Sequence, residues 1–162
     1  MPLVPKQLAT SLENDWFGKE GGSFPDSVSV SADKFATAFS NWFAGALAGA
    51  GSVTTAAARK AQLAGLAIPA LSVMAAQAAG VQLGNAIAAY IAGQVFVGPF
   101  PGVAAPPTAA AAGGAQIGAA FADLNAPPSA RADKIASACL TIATSTIVTY
   151  TTPTGPVPAP VS

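Results

Sequence analysis

The chain has no histidine, one cysteine and very little charge. Without histidine it lacks the usual general base near neutral pH and the commonest metal ligand. A lone cysteine, Cys139, excludes an intrachain disulfide and a Cys-rich metal site. It stands among Ala138, Leu140 and Ile142, the setting of a small core residue and not of a catalytic thiol. Charged residues make up 9% of the 162 positions, with seven bases against seven acids; an average soluble protein has roughly 25%. The only adjacent basic pair is Arg59-Lys60, too little to displace the counterions of a nucleic acid. No GxSxG elbow, Walker-type loop or HExxH occurs. "GGAQIGAAF" lacks the glycine spacing of a dinucleotide turn and has no strand before it. Ser and Thr are plentiful, but nothing near them in sequence activates a hydroxyl. Glu13, Asp15, Glu20, Asp26 and Asp33 read as solvated surface carboxylates. The expectation is no enzyme, no cofactor, no metal, no small-molecule substrate and no nucleic acid; an enzyme built on Asp33 or Glu13 is the weakest alternative.

The scarcity of charge is uneven. No charged residue occurs between Lys60 and Asp123. That span contains "LAGLAIPALSVMAAQAAG" and "LGNAIAAYIAGQVFVG", which approach the length of a membrane span only by including Gln77, Gln82, Asn85 and Gln94. Ala and Gly contribute little to insertion compared with Leu, Ile and Phe. A membrane-active protein inserting residues 61–122 is therefore the second reading. The first is a surface covered by neighbouring protein, because a large apolar area is seldom left open to water. The N-terminal "MPLVPKQLAT" shows no basic stretch followed by an apolar one, so no secretory signal is expected.

What is abundant is Ala, Gly and Pro, and a repeat runs through them. "ADKFATAF" from Ala32 and "ADKIASAC" from Ala132 share Ala-Asp-Lys and the apolar spacing that follows. Phe35, Phe39, Trp42, Phe43 and Leu47 align with Ile135, Cys139, Ile142, Ala143 and Ile147. Leu83, Ile87, Tyr90, Ile91 and Val95 form a third set between them. This is the apolar stripe of an amphipathic helix. Ser31 and Ser129 are placed as helix caps, with Ala-Asp-Lys as a helix start. An earlier apolar segment precedes each stripe: Leu3 to Phe17, Leu63 to Met74 with Pro69 expected to kink it, and Ile117 to Leu124. "GSVTT", "QVFVG" and "STIVTYTTP" follow the stripes and read as short strands that pair with one another or with another subunit.

The expected fold is mainly α: about three degenerate helical-hairpin repeats with short β-strands and extended Pro-rich arms. The expected divisions are 1–55, a hairpin with a long internal loop around Gly21-Gly22; 56–98, the second repeat; 99–114, a Pro/Ala/Gly-rich linker; 115–153, the third repeat with its strand; and 154–162, an extended tail. Aromatics at helical spacing are core in the first instance, yet large rings also anchor subunit contacts. The candidate interface residues are Trp16, Phe17, Phe96, Phe100 (a ring between prolines in "GPFPG"), Val148 and Tyr150.

The run "AIAAYIAGQVFVG", then "GPFPGV", then "GGAQIGAAF…DKIASA…TIVTYTTPTGPVPAP" resembles small Ala-rich structural proteins of contractile-tailed bacteriophages. The likeness covers most of the chain from Ala32 onward and rests on pattern, with no diagnostic motif. It implies a non-enzymatic virion subunit of the tail, baseplate or neck, assembled in the host cytoplasm with other virion proteins and copies of itself. A capsid-associated cement protein is the alternative within that class. The first helix and the Gly21-Gly22 loop have no counterpart in the pattern.

Overall fold

Three helices carry the buried stripe, and each runs directly into a strand. The computed structural model describes residues 2–18 and 25–162. The Gly21-Gly22 loop and Glu20 lie outside them. In chain order come α1 (Pro5–Ser11), continued by a π-turn over Leu12–Trp16, α2 (Val28–Phe43), β1 (Leu47–Ala48) and β2 (Gly51–Val53). Next are α3 (Lys60–Leu71), α4 (Ala76–Ile91), β3 (Val95–Val97) and β4 (Pro101–Ala104). Last are α5 (Ala110–Ala122), α6 (Pro128–Thr144), β5 (Ile147–Thr152) and β6 (Gly155–Pro160).

The expectation of a mainly α fold of helical hairpins is overturned. Helices hold 55% of the described residues, but the strands, 16%, form one six-stranded antiparallel half-barrel, so the fold is mixed α/β. The unit that recurs is helix, helix, strand, strand. Leu47, Val95 and Ile147 are the first residues of β1, β3 and β5, not the last turn of a helix. Nor are the Pro-rich segments free arms. Pro101–Ala104 is β4, and the 154–162 tail is mostly β6, paired with β5 along its whole length in the same chain. Pro69 sits in the last turn of α3, which continues to Leu71.

Neighbours in the sheet follow chain order, β1 to β6. β1 and β2 are joined by the two-residue turn Gly49-Ala50; Gly49 adopts φ 54°, which a side chain would resist. The far end of the sheet returns to the start. Leu47 and Ser162 exchange backbone bonds at 3.1 and 2.8 Å, and Val161 bridges to Ala48. Prolines decide where this closure happens. Val161 donates its N–H to the Thr146 carbonyl at 3.0 Å, so by the two-residue period Val157 and Ala159 also face β5. The nitrogens of Pro156, Pro158 and Pro160 then point to the outer edge, which has no donor. Ser162 is the first outward position with an N–H, and it is the one that pairs with β1.

The helices form a ring in which each packs on its sequence neighbours and α1 packs on α6. The stripe residues line its interior: Phe35, Phe39, Phe43, Leu83, Ile87, Tyr90, Ile91, Ile135, Cys139 and Ile142 are all fully buried. Ala-Asp-Lys is not a helix start. Ser27, not Ser31, caps α2, accepting from the Val30 N–H, and α6 begins at Pro128, so Ser129 lies inside it. The two Asp residues tie adjacent helices at the ring's surface. Asp33 on α2 bonds Lys60 on α3 at 3.1 Å, and Asp133 on α6 bonds Lys6 on α1 at 3.0 Å. Each links the second helix of one unit to the first helix of the next.

At the third such junction, between α4 and α5, the aligned position is Val81, and glycine replaces charge. Gly80 and Gly84 face Gly114 and Gly118. A Cβ on Gly84 would lie 2.6 Å from the Gly114 Cα, and one on Gly118 would lie 2.8 Å from the Gln77 Cα. The backbones touch, so no side chain fits between them. Gly84→Ala is expected to destabilise the protein by about 1–3 kcal/mol through overpacking. Gly65→Ala, on a helical glycine with open space around it, is expected to stabilise by about 0.5–1 kcal/mol. Urea unfolding of both variants checks the opposite signs.

Candidate interaction surface

The sequence-derived interface residues mostly face inward. Trp16 is buried; its indole N–H donates to Ser31 Oγ at 2.7 Å, and its ring meets Phe17, Phe35 and Phe121 at 4.6, 5.0 and 6.0 Å. Phe17 is half-buried, with the Arg131 guanidinium 5.6 Å from its ring centre. Phe96 is fully buried and packs edge-on against Phe43 at 6.5 Å. Val148 and Tyr150 point into the half-barrel. Only Phe100 is exposed, and it lines a cleft of about 140 Å³ at the mouth of its own barrel together with Gly51, Tyr150 and Val157.

Tyr150 is the post around which the sheet curls. Its hydroxyl donates to the Ala48 carbonyl at 2.7 Å, spanning the interior from β5 to β1. Gly102 lies opposite it on β4, and a Cβ there would sit 2.6 Å from the ring. Burial holds the Tyr150 phenol above its ordinary pKa. A second polar cluster pins sheet to helices. Tyr90 donates to the Ala56 carbonyl at 2.8 Å, buried Gln94 donates to the Tyr90 carbonyl at 3.1 Å, and the Val95 N–H donates to Thr55 Oγ1 at 2.9 Å. Arg59 donates to the Ala92 carbonyl at 2.8 Å, beyond the C-terminus of α4.

The outward positions of the same strands are the exposed ones. Register places Ser52, Val97 and Pro101 in one row across the sheet, and Val95, Val103, Thr149 and Pro158 in the next. Ile147 and Pro160 pair alongside. Val103 is 53% exposed, Val97 49% and Ile147 41%. No strand and no strand–strand turn carries Asp, Glu, Lys or Arg. Every charge among the described residues lies on a helix or a segment flanking one. Lys134, for example, bonds Asp123 at 2.7 Å, and that hydrogen bond holds the carboxyl below its ordinary pKa. The outer sheet face is uncharged, and the described charges of the helical layer lie on α1 and its π-turn, α2, the first residue of α3, α6 and the segments next to α2, α3 and α5.

The strand residues that the sequence offers for an interface, Phe96, Val148 and Tyr150, alternate with the exposed ones. In Ile147–Thr152 the aromatic and a valine alternate with Ile147, Thr149 and Thr151. Alternation was the available signal, and it assigns the bulky Tyr150 to the core. Among the described residues, no cluster of His, Cys, Asp and Glu could hold a metal, and no helix is long and apolar enough to cross a membrane. Asp33, offered as an acid–base group, is an exposed partner of Lys60.

Tyr150→Phe is expected to cost about 1 kcal/mol, the worth of the bond to Ala48. Tyr150→Ala is expected to cost about 3–5 kcal/mol by emptying the barrel. Thr149→Ala, one residue away and outward, should stay within about 0.5 kcal/mol of the parent. Denaturant midpoints decide the order. Cys139 is buried and its thiol pKa is pushed up by desolvation, so a thiol reagent at pH 8 should label it only as fast as the protein unfolds. No protein-family model, curated protein or solved structure matches this chain.

Proposed function

We propose that this chain is a non-enzymatic structural subunit of a virus particle of the contractile-tailed kind, in the tail, baseplate or neck, and that it docks through the outer face of its sheet. The observation that carries the reading is the partition of charge. Six strands present an outer face without one ionisable group, while the helical layer holds the described ion pairs. A free soluble protein gains nothing from exposing Val97, Val103 and Ile147 on one side of its sheet; an assembly subunit gains affinity by burying them. The resemblance of the Ala-rich helices and Pro-rich tail to phage structural proteins supports the particle context. Of the apolar residues of 61–122 that a membrane-inserting protein would offer to lipid, Leu63, Leu83, Ile87 and Ile117 are buried in the protein's own core, while Ile68, Met74, Val97, Phe100 and Val103 are exposed.

The test is composition of the particle. In particles purified from infected cells, quantitative mass spectrometry should find the chain in several copies per particle. A Val103→Lys chain supplied in its place should fold but occupy particles at least about tenfold less, equivalent to ~1.4 kcal/mol. Absence of the parent chain from particles, or full occupancy by the variant, overturns the proposal.

A further inference from the structure

We infer that the cavity between the end of the π-turn, the α3–α4 corner and the start of α6 is a binding site for a small organic acid: a carboxylate on a short apolar body. The inference is independent of the outer sheet face and of what covers it.

The cavity measures about 290 Å³ and opens to solvent. Buried Trp16, half-buried Leu71, Val73 and Phe121, and exposed Met74 line it. The Trp16 indole N–H is already spent on Ser31 Oγ. Among the described lining residues the only charged one is Arg131. Its size is near the lower end for small-molecule sites, which are mostly apolar with a few placed polar groups.

The fold itself makes little use of Arg131. Its Nε–H is closed off from water and has no hydrogen-bond partner. Among the described residues its guanidinium enters no ion pair. Asp123, whose carboxyl feels its charge, bonds Lys134 at 2.7 Å instead. The Phe17 ring, 5.6 Å away, steadies the guanidinium without offering it a strong acceptor. Arg59, the other arginine, is fully engaged: it donates to Gln62 and to the Ala92 carbonyl, both at 2.8 Å. A buried donor without an acceptor costs stability and calls for an explanation.

Its position adds to the cost. Arg131 is the fourth residue of α6, whose first turn holds no acid. The helix dipole there disfavours a cation and favours an anion. An anion in the cavity would meet the guanidinium and the positive end of α6 together.

The chemistry of the walls narrows the anion. A guanidinium fork matches a carboxylate through parallel N–H bonds. A phosphate dianion would bring more charge and more acceptor oxygens than a single arginine can satisfy. The rings and the Met74 thioether suit an apolar or aromatic body. A body of about ten non-hydrogen atoms, bound in a shallow site, should have a dissociation constant near about 1 mM.

The probe is hydrocinnamate, added to the full chain and followed through the indole N–H resonances of Trp16 and Trp42. Trp42 donates to the Val4 carbonyl and does not line the cavity. The acid should shift the Trp16 signal saturably, half-complete near about 1 mM, and leave Trp42 in place. Hydrocinnamamide has the same shape without the charge and should bind at least about tenfold more weakly. The acid should lose as much on Arg131→Gln, with the circular dichroism spectrum and melting temperature of that variant unchanged. No saturation by about 10 mM, equal shifts of both indoles, an amide that binds like the acid, or a folded Arg131→Gln chain that binds like the parent each overturns the site. If Arg131→Gln does not fold, the comparison of acid and amide on the parent chain decides alone. None of these outcomes bears on the assembly proposal, which stands or falls on occupancy of particles.

Discussion

Helices α4 and α5 meet backbone to backbone, and the rest of the ring is spaced around that contact. Gly80, Gly84, Gly114 and Gly118 leave no room for a Cβ at the contact. The gain is dense backbone-to-backbone packing; the loss is all tolerance of substitution. The other two equivalent junctions keep side chains between helices and add an exposed ion pair each, Asp33–Lys60 and Asp133–Lys6. Exposed pairs of this sort contribute little energy. They mark which helices are adjacent more than they hold them together. The tight junction is the one without charge, in the middle of the long uncharged span.

Much of the helical layer was legible because burial and helical period coincide. Phe35, Leu83 and Ile135 align in sequence and lie fully buried at equivalent places. The boundaries were less legible. Ala-Asp-Lys looked like a start because Ser precedes it at Ser31, but that serine serves Trp16 and the cap is Ser27. The strands were read by halves. β2, β3 and β5 carry β-branched residues, whereas their hairpin partners are two residues long (β1), or rich in Gly and Pro (β4 and β6). Propensity sees side chains, and those partners pair through backbone and position. The glycine contact was also written in the sequence, as Gly80-x3-Gly84 and Gly114-x3-Gly118. Such spacing is silent about which two faces meet until the topology brings them together.

The candidate surface follows from the same division. Large rings often anchor subunit contacts, but Trp16, Phe96 and Tyr150 fill the interior of this fold. A chain with 16 glycines and 14 prolines among 162 residues builds thin elements, and thin elements need large plugs. What remains for the outside of the sheet is small, branched and uncharged. Its charge-free character, not any aromatic, distinguishes it from α1, α2 and α6.

The closure of both layers changes what kind of repeat protein this is. In an open array the terminal units have one neighbour, need polar caps, and fray first. Here the first unit is also the neighbour of the last, through α1 on α6 and Leu47 on Ser162. There is no terminal unit to peel away. Losing one unit removes two junctions and opens the barrel, so partial unfolding yields no stable remainder. A chain assembled from three similar pieces thereby behaves as a single cooperative body.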